Sequence, residues 1–269
     1  MPILSCRGTG KLSAVVEGGP KIVWITGAGK GLGLATAEAY AARGDKVAVS
    51  ARTRPDLDAL AERFPGLIFP YPLDVTDEEA TAETVAAIEH DLGPIDIGIL
   101  NAGTHDPTPL GRFTAQRVGH LFQVNMMGTV HGLVHLMNRM AERGRGRIGV
   151  VASLSGYRGL PYASAYGATK AGLINMCESL YPELLEKGVR LSVINPGFVR
   201  TPLTDRNDFP MPFLMEADEA AKRVVRGLDG QGFEIAFPRR FAMILKLFKR
   251  LPYPIYFAFT KKMLSDERG

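Results

Sequence analysis

Cysteine is almost missing from this chain: Cys6 and Cys177 are the only two in 269 residues. A disulfide framework is therefore excluded, and no Cys/His cluster has zinc-site spacing. His131 and His135 stand four apart, but Gly132 occupies the position where a zinc protease needs glutamate. No metal is expected. No apolar run approaches the 18 or so residues that cross a bilayer. The first 20 residues lack the charged-then-apolar pattern of a secretory leader. Ile3-Leu4-Ser5-Cys6 faintly resembles a lipoprotein cleavage box, with nothing before it to serve as a signal. The expected location is the cytoplasm, with residues 1–20 as an N-terminal extension. Low-complexity runs, repeats and Pro/Gly/Ser-rich linkers are missing too, and 46% hydrophobic residues supply ample core.

What is present is alternation. Short apolar runs at 22–26, 47–50, 67–73, 95–100, 147–152, 191–195 and 233–237 read as strands. Helical patterns lie between them near 56–63, 77–91, 113–142, 163–187 and 217–227. Strands alternating with helices predict an α/β fold: one Rossmann-like, doubly wound parallel sheet with helices on both faces. We assign residues 21–237 to this domain and 238–269 to an additional C-terminal helical segment.

The first strand runs into Thr26-Gly27-Ala28-Gly29-Lys30-Gly31-Leu32-Gly33 and then a helix. Strand, glycine turn and helix build a phosphate site at a helix N-terminus. The spacing is not G-x-G-x-x-G. A P-loop is also excluded, since Gly31 follows Lys30 where Ser or Thr is required. After the second strand comes Ser50-Ala51-Arg52, without the carboxylate that holds adenosine ribose hydroxyls in NAD enzymes. Arg52, with Lys30 nearby, suits a 2′-phosphate instead, so NADP(H) is the expected cofactor.

Tyr166 and Lys170 are four residues apart on the helix expected over 163–187 and share a face. A free tyrosine titrates near 10 and is a poor base at neutral pH. An ammonium about 4 Å away, at an effective dielectric of ~20, favours the phenolate by roughly 4 kcal/mol, about 3 pKa units. Tyr166 would then work as a general acid/base. Ser153 ends the strand just before it. Taken alone, such a pair more often forms an ordinary amphipathic surface.

In order and spacing these residues resemble the short-chain dehydrogenases/reductases over about 21–205. The family's Thr-Gly-x-x-x-Gly-x-Gly turn corresponds to Thr26, Gly27, Gly31 and Gly33. Its acidic residue after the third strand corresponds to Asp74, followed by Val75. Asn101-Ala102-Gly103 corresponds to its Asn-Asn-Ala-Gly, with Leu100 replacing the first asparagine. Asn125, Ser153, Tyr166 and Lys170 correspond to its catalytic residues, and Pro196-Gly197 to the Pro-Gly after the sixth strand. The resemblance implies that Tyr166 exchanges a proton with a carbonyl or alcohol oxygen, and that Ser153 hydrogen-bonds the same oxygen. Lys170 would hold the nicotinamide ribose and depress the tyrosine pKa. Asn125 would position a water linking Lys170 to solvent. Asp74 would contact adenine; Val199 and Thr201 would border the nicotinamide. A homodimer or homotetramer through the two long helices is also implied.

His105, Tyr157, Tyr162 and Phe198 fall in loops that should rim an apolar substrate pocket. Beyond it, Phe241, Ile244, Leu245, Phe248 and Leu251 form a stripe at helical spacing, with Lys246, Lys249 and Arg250 opposite. Pro252 and Pro254 are expected to break that helix. The segment reads as a pocket lid, a subunit interface or a peripheral membrane contact; nucleic acid is not expected, for lack of a recognition motif. The function expected is NADP(H)-dependent interconversion of a carbonyl and an alcohol by hydride transfer on a lipophilic small-molecule substrate. The alternatives are an NADP-binding redox sensor or scaffold, and a lyase or epimerase on the same fold.

Overall fold

Alternate side chains of each inner strand go to opposite faces of one sheet, as a period of two dictates. The computed structural model describes residues 19–202, 204 and 211–265. The extension expected at 1–20 lies, up to residue 18, outside the described residues. Seven strands pair in parallel: β1 (Ile22–Thr26), β2 (Lys46–Ser50), β3 (Ile68–Pro70), β4 (Ile97–Leu100), β5 (Gly146–Val151), β6 (Val189–Pro196) and β7 (Glu234–Phe237). Their order is β3-β2-β1-β4-β5-β6-β7. On one face Val23, Ile25, Val47 and Val49 pack against α1 (Gly31–Ala41), α2 (Arg54–Arg63) and α7 (Ala217–Asp229). On the other, Trp24, Ala48, Ile148 and Val150 meet α3 (Glu78–Leu92), α5 (Gly128–Arg143) and α6 (Ser164–Glu186). Trp24 is fully buried, and its indole N–H donates to Ser50 Oγ at 3.0 Å. Strand order reverses between β1 and β4, which opens a crevice beyond their C-terminal ends.

Two expectations needed correction. The strand expected over 67–73 shortens to β3 because Pro70 and Pro72 cannot donate to a ladder. The amides of Tyr71 and Leu73 still bond to Val49 O and Ala51 O. The single helix expected over 113–142 is instead α4 (Ala115–Phe122), a π-helical turn (Gln123–Met127) and α5. The extra residue falls at Asn125, whose buried side chain is bonded outside the helix. Such bulges occur often at functional sites.

The C-terminal segment forms α8 (Arg239–Lys249) and α9 (Tyr253–Ser265), with the break where Pro252 and Pro254 were expected to place it. Pro254 sits in the first turn of α9, where its missing N–H would have had no intrahelical partner. Arg158 holds the corner. Its Nη1 donates to the carbonyls of Phe248 (2.7 Å), Lys249 (3.0 Å) and Leu251 (2.7 Å), and its guanidinium lies 3.8 Å from the Tyr256 ring centroid. These are orphan carbonyls of a helix C-terminus, where a cation is favourable. Arg158→Ala should cost about 1–3 kcal/mol and make α8–α9 the first site of protease cleavage. Denaturant titration and limited proteolysis read this out; unchanged values for both would reject the clamp.

Candidate active site

The glycine turn between β1 and α1 is shaped by contact. Gly27 and Gly31 have φ of +66° and +59°, a region that suits glycine. A Cβ on Gly33 would lie 2.3 Å from Gly27 O, and one on Gly31 would lie 2.9 Å from Thr201 Cγ2. The backbone thus comes close to whatever occupies the crevice. Asn101, at the end of β4, clasps the turn: Nδ2 donates to Thr26 O (3.0 Å) and Gly27 O (3.1 Å). Thr26 Oγ1 accepts from the amides of Asn101 and Ala102.

The crevice is a cleft of about 630 Å³. The expected residues that line it are Gly27, Gly29, Lys30, Gly31 and Leu32 from the turn, Arg52, Asp74 and Val75 from the second and third strand exits, Asn101 to Gly103, and Thr201. Asp74 accepts from the amide (3.0 Å) and hydroxyl (2.8 Å) of Thr76. Chiefly through that amide, and also through Arg52, its carboxyl is held below the usual range. Asp56 was missed: it lines the same end of the cleft and pairs with Lys30 at 3.4 Å. Nothing but its position on α2 betrays it, since its carboxylate follows the strand exit by six residues. A cleft that runs along a helix N-terminus, with Arg52 and Lys30 at one end, fits a dinucleotide.

Around Tyr166 the structure brings Ser153, Lys170 and His105 together next to the cleft, though none of these side chains is among those that line it. Ser153 Oγ accepts from Ser155 N (3.2 Å) and Ser155 Oγ (2.8 Å) and faces Pro196 O at 3.5 Å. Lys170 is 3% exposed and donates to Val151 O at 2.8 Å, with Nζ 5.7 Å from the Tyr166 ring centroid. Asn125, fully buried, accepts from Thr104 N (2.8 Å) and donates to Thr104 O (3.0 Å) and Thr169 Oγ1 (3.2 Å). A Cβ on Gly103 would sit 3.3 Å from Asn125 Oδ1 and 3.5 Å from Lys170 Nζ. Glycine there leaves the lysine and the asparagine facing one small space.

The electrostatics correct one expectation. Burial pushes the Tyr166 phenol up, and its hydrogen bond with Ser153 only partly offsets this. The Lys170 ammonium bonds to a carbonyl and does not depress the phenol as the spacing suggested. Burial lowers Lys170 itself to about 8. A lysine whose folded pKa lies below its unfolded value costs stability while protonated. That cost is fully present below about 8 and is relieved as pH rises toward 10.5. The stability of wild type relative to Lys170→Met should therefore rise between pH 7 and pH 10, by about 2–3 kcal/mol in denaturant titrations. A difference independent of pH would show that Lys170 is not desolvated.

The substrate-side expectations divide. His105 meets Tyr166 edge to face, with ring centroids 4.7 Å apart, and burial lowers its pKa. Its Nδ1 is buried without a hydrogen-bond partner among the described residues. Tyr157 belongs elsewhere: its hydroxyl donates to Glu234 on β7, which also takes Asn195 Nδ2 (3.1 Å) and Lys246. That carboxylate, near enough to bind a phenol, drew the ring into the core. Tyr162 takes φ +60°, and its carbonyl accepts Thr108 N at 2.8 Å. Phe198 stacks on Phe241 of α8 at 6.0 Å. Val199 is buried against Met215, to which it forms a bridge, and Gly197 N donates to Phe237 O at 2.7 Å.

A dinucleotide trough at the switch point of a parallel sheet, with a Ser/Tyr/Lys group beside it, defines an α/β nucleotide-dependent enzyme class. The family model for short chain dehydrogenase matches residues 21–209. An uncharacterized oxidoreductase of Myxococcus xanthus is 37% identical over 242 residues, covering 89% of this chain and 96% of its own. The 3-oxoacyl-[acyl-carrier-protein] reductase FabG of Thermotoga maritima is 33% identical, covering 69% and 77% respectively. A solved short-chain dehydrogenase from Streptomyces avermitilis is 25% identical, with TM-score 0.80 and coverage of 93% and 99%. Two other structures have bound dinucleotides. One is a Burkholderia phymatum short-chain dehydrogenase/reductase with NAD (23%, TM-score 0.78, coverage 85% and 92%), the other ElxO with NADP (25%, 0.73, 81% and 98%). The chain belongs to the short-chain dehydrogenase/reductase family. It is an oxidoreductase of that family.

Proposed function

We propose that this protein is an NADP(H)-dependent reductase of carbonyl compounds, with Tyr166 as proton donor and a lipophilic ketone or aldehyde as substrate. The observation that carries the reading is the placement of Tyr166 beside Ser153 and Lys170, next to the cleft at Gly103. A phenol placed there gives a proton to the developing alkoxide during reduction and takes one from the alcohol during oxidation. The bound nicotinamide supplies the hydride. Ser153 hydrogen-bonds the same oxygen as charge develops on it. Lys170 stands behind the tyrosine and, through the Gly103 gap, faces the Asn125 side of the site. The Asn125 side chain is committed to Thr104 and Thr169, so its part is to fix the wall around that space.

Arg52 supports NADP over NAD. It lines the adenosine end of the cleft, exposed, while Lys30 there is offset by Asp56. Arg52→Ala should weaken NADPH binding about tenfold or more and leave NADH within about twofold, since only the 2′-phosphate uses the guanidinium. Fluorescence titration of both cofactors reads this. Tighter NADH binding by the wild type would overturn the preference.

A second reading, a 3-oxoacyl thioester as substrate, is favoured by the Thermotoga relative. An NADPH-consumption screen over ketones, aldehydes, quinones, steroids and 3-oxoacyl thioesters separates the two. Subunit association through α5 and α6 also belongs to this proposal. Val134 and Leu185 leave apolar surface on those helices, and sedimentation of wild type against Val134→Glu tests it.

A further inference from the structure

The C-terminal helix pair presents a surface that the oxidoreductase reading does not use. α8 and α9 bury one side, where Ala242 and Tyr256 are covered and Phe241, Leu245 and Phe248 are half-buried. The rest is open. Met243 is 70% exposed, Leu247 65%, Phe257 58%, and Ile255 and Met263 49%. Single exposed apolar residues are ordinary; a run of them along two consecutive helices marks a contact surface.

Charge identifies the partner. Residues 235–265 hold seven of the chain's 32 lysines and arginines and none of its 28 carboxylates, so the remainder of the chain is net acidic. Arg239, Arg240, Lys249, Arg250 and Lys261 are exposed among the apolar side chains. A second copy of this chain fits such a face badly. An isologous contact would set the same cations against one another with no carboxylate between them. An acidic protein would match the charge but has no use for aliphatic side chains dispersed over two helices. Anionic headgroups above an acyl boundary match both.

We propose that α8–α9 is a docking face for an anionic lipid bilayer. The docked face is tied to the active-site side of the sheet. Arg158, five residues after Ser153, clamps the α8–α9 corner. Phe241 stacks over Phe198 and Phe213 beside Gly197. Docking therefore holds the loops around Tyr166 close to the lipid surface. Delivery of a lipophilic substrate from that surface rests on the proposed reaction; the docking itself does not.

The test is co-sedimentation of the full chain with phosphatidylcholine vesicles made with or without phosphatidylglycerol. Wild type should partition about tenfold more strongly onto the anionic vesicles, and high salt should reduce this. Two variants separate the contributions: Met243→Glu/Leu247→Glu/Ile255→Glu removes the apolar face, and Arg240→Glu/Lys261→Glu reverses charge. Each should lose about tenfold in partition while NADPH titration and melting temperature stay at wild-type values. Equal pelleting on both vesicle types, or variants that pellet like wild type, would overturn the proposal. So would a lipid-free dimer that the first variant dissociates, since a second copy would then cover the face. NADPH titration of the same samples reports failure of the catalytic reading separately.

Discussion

Tyr166→Phe should lower turnover by about a thousandfold or more while leaving NADPH affinity within about twofold. The substitution removes one oxygen and keeps the ring, so the edge contact with His105 at 4.7 Å survives. What disappears is the phenol hydroxyl beside Ser153. Positioned proton transfer contributes about 10²- to 10⁴-fold, and the hydrogen bond to the reacting oxygen is lost with it. The cofactor should be indifferent, because the adenosine and pyrophosphate portions of the cleft lie along Gly27 to Leu32 and Arg52. Single-turnover reduction measured beside fluorescence titration separates chemistry from binding. Activity within about tenfold of wild type would mean another acid serves. His105, with its unpartnered Nδ1, is then the first to examine.

The sheet was legible because each strand announces itself by composition and each helix by period. What stayed hidden was set by groups distant in sequence. The bulge at Asn125 cannot be read from Val124-Asn125-Met126; it follows from Thr104 and Thr169 taking that side chain out of the helix. Tyr157 looked like a pocket residue because it sits in the loop after Ser153, yet Glu234, 77 positions on, claims its hydroxyl. The spacing of Tyr166 and Lys170 correctly put them on one face. It could not show that the ammonium would be spent on Val151 O or that burial would push the phenol up. Periodicity reports which side a residue faces; the dielectric and the partners there come from the whole fold.

Gly33→Ala should be a severely damaging single-methyl change. Unlike Gly27 and Gly31 it has no positive φ, so strain in its own backbone is not the cause. The added Cβ would lie 2.3 Å from Gly27 O and 2.5 Å from Asn101 Nδ2. Neither can retreat. Gly27 O belongs to a turn fixed at φ +66°, and Asn101 Nδ2 is bonded to both Thr26 O and Gly27 O. To admit the methyl, α1 must lift from β1 and the Asn101 clasp must open. Overpacking costs about 1–3 kcal/mol. Two part-buried hydrogen bonds lost add about 1–3 kcal/mol, for a total of about 2–6 kcal/mol. Because the same turn is the floor of the cleft, NADPH affinity should fall with stability, by about a hundredfold. Gly119→Ala is the control: a Cβ there meets nothing within 4 Å on the exposed face of α4. It should stabilise slightly, by about 0.5–1 kcal/mol, through helix propensity. Denaturant midpoints and cofactor titrations of the two variants decide the matter. If Gly33→Ala matches the control in both, the close approach of α1 to the turn does not hold the site together.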